Sequence, residues 1–197
     1  MENRISRPVA SEIANSAAQR ALRTTGIVLL GSALVAVCSH ISLPLGFTPV
    51  PLTLQPFAVL LLGLLLGPRQ AGATLAAYLL EGMVGLPVFA PGVLFGAGMA
   101  HLLGPTGGYL MSYPAAAALI AVLRRRLARG FTGAMLSAAA GDVVILLCGM
   151  AWLAAWTHGS MKTAFALAVV PFLPGEALKI VAAASIAKGL ERVRRKA

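Results

Sequence analysis

Acidic side chains are nearly missing from this sequence: there are six Asp and Glu in 197 residues, and charged residues of both signs make up only 11%. Hydrophobic residues make up 58%. A soluble domain of this size has no use for so much apolar surface, which excludes the ordinary water-soluble classes. There are two cysteines, Cys38 and Cys148, each alone in an apolar run. They read as small buried apolar residues, with neither a disulfide framework nor a metal site behind them. The three histidines, His40, His101 and His158, match no metal-ligand spacing and read as ordinary polar residues. H-E-x-x-H, G-x-S-x-G and a phosphate-binding P-loop are all missing. The chain is therefore read as a non-enzyme without cofactor, and as having no ATPase of its own.

What is present is a succession of apolar segments. Residues 1–23 form a polar, basic leader in which Ile5, Val9 and Ile13 recur every fourth residue, the spacing of a helix lying on a membrane surface. Glu2 and Glu12 count against a transit peptide, and the following run is too long for a signal-peptide core, so it reads as a retained anchor. Six segments follow: Thr24 to Leu45, Gln55 to Gly67, Gln70 to Gly85, Gly108 to Leu123, Thr132 to Trp156, and Thr163 to Lys188, the last broken at Pro171 to Gly175. Gly67-Pro68-Arg69 makes a tight turn between the second and third. Merging those two would give five helices with the termini on opposite sides of the bilayer. Ser32 and Ala36 in the first segment form a small-xxx-small pair of the kind that lets helices approach closely.

The basic residues favour six spans. With the amino terminus inside, 14 of the 16 Lys and Arg fall in cytoplasmic segments, among them Arg69, Arg124, Arg125, Arg126 and Arg129. The outer loops keep Lys162, and Lys179 is intramembrane. This is the asymmetry of the positive-inside rule, so the net charge of +10 is accounted for by topology and no nucleic-acid partner is invoked. Trp152 and Trp156 suit an aromatic belt at the outer interface. The expected fold is all-α: a polytopic integral membrane protein with six transmembrane helices, both termini cytoplasmic, one membrane domain over 24–190 and a basic tail over 191–197.

Within this apolar chain, Pro171-Phe172-Leu173-Pro174-Gly175-Glu176-Ala177-Leu178-Lys179 places a carboxylate and an ammonium three residues apart, on one face of a helix. Proline is tolerated in a first helical turn but not deeper, so a helix is expected to start near Pro174. Its free N–H groups and positive dipole end then face whatever Glu176 and Lys179 face. A broken helix with ionisable groups at its start is how membrane proteins build sites for polar solutes, although the two residues can also simply neutralise each other. Glu81 lies near the outer end of the third span, open to either ligand contact or a hydrated rim position. Asp142, in the fifth, reads as structural because Gly141 beside it suggests a close helix contact. Tyr78, Tyr109 and Tyr113 can each offer a hydroxyl between helices. Two outer connections, Gly46 to Thr53 and Leu86 to Gly107, are uncharged and rich in Gly and Pro. Loops this apolar are expected to fold back over the bundle and cover something.

Five short stretches carry a resemblance: Phe47-Thr48-Pro49-Val50-Pro51-Leu52-Thr53-Leu54-Gln55, Leu65-Leu66-Gly67-Pro68-Arg69, Gly85-Leu86-Pro87-Val88-Phe89-Ala90, Leu103-Gly104-Pro105-Thr106-Gly107-Gly108-Tyr109-Leu110, and Pro174 to Lys179. In order over about three quarters of the chain, they resemble the bacterial biotin transporter family (BioY), the substrate-capture component of energy-coupling factor transporters. The resemblance implies a biotin pocket in the outer half, with candidate binding residues Glu176, Lys179, Glu81, Phe47, Thr53, Gln55, Phe89 and Tyr109. It also implies a gating loop containing Gly46, Pro49 and Pro51. The implied partners are biotin, a transmembrane coupling protein and a pair of cytosolic ATPases, in the cytoplasmic membrane of a bacterium. The alternatives are a capture component for another vitamin and, from a different class, an intramembrane acyl or prenyl transferase.

Overall fold

The computed structural model describes residues 6–91, 98–127 and 130–194, with side chains described between residues 17 and 193. Glu2, Ile5 and Arg129, all used in the sequence argument, lie outside the described residues. Eight helices and one small hairpin are found within them: α1 (Ser6–His40), β1 (Ser42–Leu43), β2 (Leu52–Thr53), α2 (Gln55–Leu65), α3 (Pro68–Met83), α4 (Met99–Leu102), α5 (Gly107–Arg126), α6 (Phe131–Thr157), α7 (Met161–Ala168) and α8 (Leu173–Arg194).

Local sequence sets most of these boundaries. Proline in the first turn of α2 and of α3 supplies a preset φ where no N–H bond is needed. Gly67, extended at φ −75° and ψ 157°, turns the chain between those two helices. α1 is helical without a break from the polar leader into the apolar run. It stops at His40, five residues short of the expected end. The hairpin takes over because Pro44, Pro49 and Pro51 cannot continue a helix; Ser42 pairs with Thr53 and Leu43 with Leu52. The all-α expectation holds for the bundle, to which the hairpin adds four strand residues.

α2 is the centre of the bundle. Nine of its eleven residues are buried, and it packs against α1, α3, α5, α6 and α8. At a rise of 1.5 Å per residue it is about 17 Å long, roughly half a hydrocarbon core. The part of α1 from Ala17 to His40 and the whole of α6 are long and apolar enough to cross a membrane. α7 and α8, bent by 53° at their junction, pass the same test together. Leu30, Leu147 and Leu178 stand exposed on outer faces, an arrangement suited to lipid. Cys148 is exposed on such a face too, against the expectation of burial, while Cys38 is buried; in lipid an outward thiol on α6 loses no hydration it would otherwise have.

Small residues let the central helices touch. Ile120 of α5 is fully buried, and a Cβ added at Gly63 of α2 or at Gly141 of α6 would stand 2.8 and 2.3 Å from its side-chain atoms. The close contact expected beside Asp142 is therefore the meeting of α6 with α5. At the opposite end of the bundle from the hairpin, Arg124 of α5 makes an ion pair with Glu191 of α8.

Candidate functional site

The break between α7 and α8 is built as the sequence suggests. Residues 169–172 form turns, with the Phe172 N–H donating to Val169 at 3.0 Å, and α8 resumes at Leu173. The Glu176 N–H donates to the Phe172 carbonyl at 2.9 Å, so Glu176 sits in the first turn, where the helix dipole favours an anion. Lys179 follows one turn on. Its Nζ donates to Glu176 Oε1 at 2.6 Å, and the two residues are only 8% and 4% exposed. Glu176 Oε2 is buried and receives no hydrogen bond.

Both residues line a cavity between the hairpin and the helices, with an empty volume of about 520 Å³ counting its opening. Val50, Pro51, Leu110, Ile145, Leu146 and Phe172 give it apolar walls. Thr53, Gln55, His101, Thr106, Tyr109 and Tyr113 join Glu176 and Lys179 as polar groups. An apolar enclosure with a few converging polar groups is the usual form of a small-molecule site.

Hydrogen bonds tie three of these polar groups, Thr53, Gln55 and Tyr109, into the surrounding structure. The Thr53 hydroxyl donates to Gln55 Oε1 at 3.3 Å, Gln55 donates through Nε2 to the Tyr78 hydroxyl, and Tyr78 donates to the Val88 carbonyl at 2.9 Å. The Ser39 hydroxyl of α1 donates to the same Val88 carbonyl at 2.7 Å. The start of α2 is thereby tied to α3 and to the connection after it. Tyr109 fills a slot over Gly149, whose added Cβ would lie 2.2 Å from the ring, and its hydroxyl donates to the Ala168 carbonyl at 2.6 Å. That carbonyl belongs to the last residue of α7, which has lost its onward helical partner at the break, so α5 caps α7.

Of the residues singled out in the sequence, Glu176, Lys179, Thr53, Gln55, Tyr109 and Pro51 meet at the cavity. Phe89 stands one layer behind it, stacked on His101 with ring centroids 5.1 Å apart and edge-on to Tyr78 at 5.5 Å. Gly46 and Pro49 flank the hairpin tip without reaching the wall. Two candidates are placed elsewhere. Phe47 is 64% exposed at the tip. Glu81 is half-buried on the α1 side of α3, where its Oε1 accepts from the Ser32 hydroxyl at 2.8 Å. A carboxylate at helix–helix depth takes the nearest hydroxyl donor, and here that donor is on α1. His101 and Tyr113 line the cavity although the sequence assigned them only ordinary polar or interhelical roles. Tyr113 lies four residues after Tyr109 and so on the same helix face, a spacing that could have found it.

The hairpin loop is itself part of the wall. Val50 is buried, and the Thr48 hydroxyl donates across to the Leu167 carbonyl of α7 at 3.0 Å. The other long outer connection folds inward where it is described, with Phe89, Ala90 and Leu102 buried. Trp152, expected at the interface, donates through Nε1 to the Gly104 carbonyl at 2.8 Å and so pins that connection to α6.

Known proteins share this chain's sequence and fold. The BioY family matches residues 10–196. The chain is 41% identical to a probable biotin transporter BioY of Pyrococcus horikoshii, over 86% of this chain and 96% of the relative. It is 38% identical to the biotin transporter BioY of Thermotoga maritima, over 82% and 92%. Among solved structures, the S-component for biotin from an ECF-type ABC transporter superposes with a TM-score of 0.80 at 25% identity, covering 88% of this chain and 93% of that one.

Proposed function

This chain belongs to the BioY family, and from that premise we propose that it captures biotin in the cavity beside Glu176 and Lys179 and passes it across the cytoplasmic membrane. The observation that carries the reading is the buried ion pair at the start of α8, with one carboxylate oxygen left open. The ureido ring of biotin offers two N–H donors and a carbonyl acceptor, and its tail ends in a carboxylate. A buried carboxylate oxygen accepts an N–H and an ammonium meets either acceptor, while Leu146, Ile145 and Phe172 suit the thiophane ring and tail. Thr53, Gln55 and Tyr109 complete the contact set, Phe89 supports the wall through His101, and the loop through Gly46, Pro49 and Pro51 acts as the gate. In this conformation Glu81 and Phe47 stand outside that set.

Six spans with both termini in the cytoplasm remain the topology that the basic residues support. α2 and α3 form the second and third spans, and α7 with α8 forms the sixth. The same reading assigns a transmembrane coupling protein and a pair of cytosolic ATPases as the energising partners, since the chain carries no P-loop, and a bacterial inner membrane as its site. The experiment is titration of the detergent-purified protein with labelled biotin, thiamine and riboflavin. Tight binding of biotin alone is expected; tight binding of either other vitamin, or of none, overturns the assignment.

A further inference from the structure

The Gln55 amide at the start of α2 is buried, and what it offers the cavity depends on which way round it is held. The oxygen and nitrogen of an amide fill nearly the same space, so its orientation is set by its partners. The partner that decides here is Tyr78 of α3, which is not itself part of the cavity wall. The Tyr78 hydroxyl lies 2.9 Å from the Val88 carbonyl. A carbonyl oxygen only accepts, so the one phenolic proton is spent there, and the phenol can meet Gln55 only as an acceptor. Gln55 must therefore turn its Nε2 toward Tyr78. The reversed amide would set Oε1 against an oxygen with no proton left to give.

Tyr78 is fixed firmly enough to hold this choice. Its side chain is fully buried, and its ring stands edge-on to Phe89 at 5.5 Å. Phe89 in turn lies over Gly82, where an added Cβ would come within 2.0 Å of the ring. The consequence reaches the cavity through Thr53. With Nε2 toward Tyr78, Oε1 accepts from the Thr53 hydroxyl at 3.3 Å, so the Thr53 proton is committed as well. Thr53 and Gln55 both line the cavity. Their two oxygens then have only lone pairs to offer, on Gln55 Oε1 and on Thr53 Oγ1.

We propose that Tyr78 is a positioning residue that sets the polarity of the site: by fixing the Gln55 amide it makes the Thr53–Gln55 edge an acceptor, matched to an N–H donor of the ligand. The ligand half of this rests on the biotin reading above, in which the ureido N–H groups are the donors; the fixed amide does not.

The amide is tested first, without ligand. The chain has three glutamines, Gln19, Gln55 and Gln70, so amide NMR spectra of protein labelled at the glutamine side chains hold few signals, and Gln55→Leu identifies the one in question. The Gln55 proton given to Tyr78 is expected to be displaced from the position of a free side-chain amide and slow to exchange, and both features are lost in Tyr78→Phe. Phe keeps the ring against Phe89, and the Val88 carbonyl keeps the Ser39 hydroxyl at 2.7 Å, so the fold is retained. The second arm is a double-mutant cycle on biotin affinity. Tyr78→Phe is expected to weaken binding about tenfold in the parent. In a Gln55→Ala background the loss shrinks to less than about twofold, because the two residues act through one contact. Of two biotin derivatives, each methylated on one ureido nitrogen, one is expected to lose more affinity on the parent than on Tyr78→Phe, since it brings no proton to the acceptor edge. A Gln55 signal unaltered by Tyr78→Phe, equal losses from Tyr78→Phe in both backgrounds, or equal methylation losses on both proteins would each overturn the proposal. If the parent binds no biotin, the spectra still decide whether Tyr78 fixes the amide, and the failure falls on the biotin reading alone.

Discussion

Tyr109 and Ala168 are 59 residues apart in sequence, yet the phenol of the one satisfies the end-of-helix carbonyl of the other at 2.6 Å. Through this bond α5 holds the end of α7 beside the break, and with it the position from which Glu176 and Lys179 enter the cavity.

Loss of that bond should be felt first as stability. Tyr109→Phe leaves the Ala168 carbonyl buried without a donor, at a cost of about 1–3 kcal/mol. Gly149→Ala drives a methyl into the Tyr109 ring and is expected to cost a similar amount, since overpacking costs about 1–3 kcal/mol. Thermal unfolding in detergent, followed by tryptophan fluorescence, should show a lower midpoint for both; an unchanged midpoint for Gly149→Ala would mean that the ring has room to retreat.

Removing the charge of Glu176 should weaken the ligand directly. A charge-assisted hydrogen bond is worth about 1.5–3 kcal/mol, so Glu176→Gln is expected to lose roughly tenfold to hundredfold in biotin affinity, more than Asp142→Asn loses. Lys179→Met should also weaken binding, and because it leaves a buried carboxylate without its cation it is expected to destabilise the fold as well. Monodisperse elution serves as the folding control. Well-folded Glu176→Gln and Lys179→Met proteins that bind like the parent would reduce the ion pair to a structural one.

The loop tip makes a natural reporter of gating. Phe47 is exposed and contributes nothing to the cavity wall, so a spin label at Phe47→Cys, in a background carrying Cys38→Ala and Cys148→Ala, should leave the site intact. Its mobility is expected to fall on saturation with biotin. Equal spectra with and without ligand would remove the gating role from residues 46–53.

Topology can be read by labelling in the same cysteine-free background. Cysteines at Gln19 and Arg192 should be protected from a membrane-impermeant reagent in intact cells, and one at Gly159 should react. Reaction at either of the first two positions would defeat the six-span arrangement.

Much of the fold was legible in the sequence because it depends on local signals. Apolar runs bounded by Gly and Pro located α2, α3, α5 and α6 to within a few residues, and Pro174 located the start of α8. The carboxylate and ammonium at positions 176 and 179 were visible as a pair because helical spacing alone puts them together. The hairpin was not visible: Ser42 and Leu43 fall within what looks like the end of an apolar helix, and only pairing with Thr53 and Leu52 makes them extended. Glu81 was ambiguous for a similar reason, since its partner Ser32 lies 49 residues away. Gly149 gave no hint that it forms the floor beneath Tyr109, because a missing side chain reveals nothing until its neighbour is known.

The Thr48 hydroxyl and the Leu167 carbonyl join the hairpin loop to α7 just ahead of the 53° bend. Cover and floor of the cavity therefore hang from one hinge. If the loop moves as the proposed gate while this bond holds, it pulls on the chain that leads through the bend to Glu176.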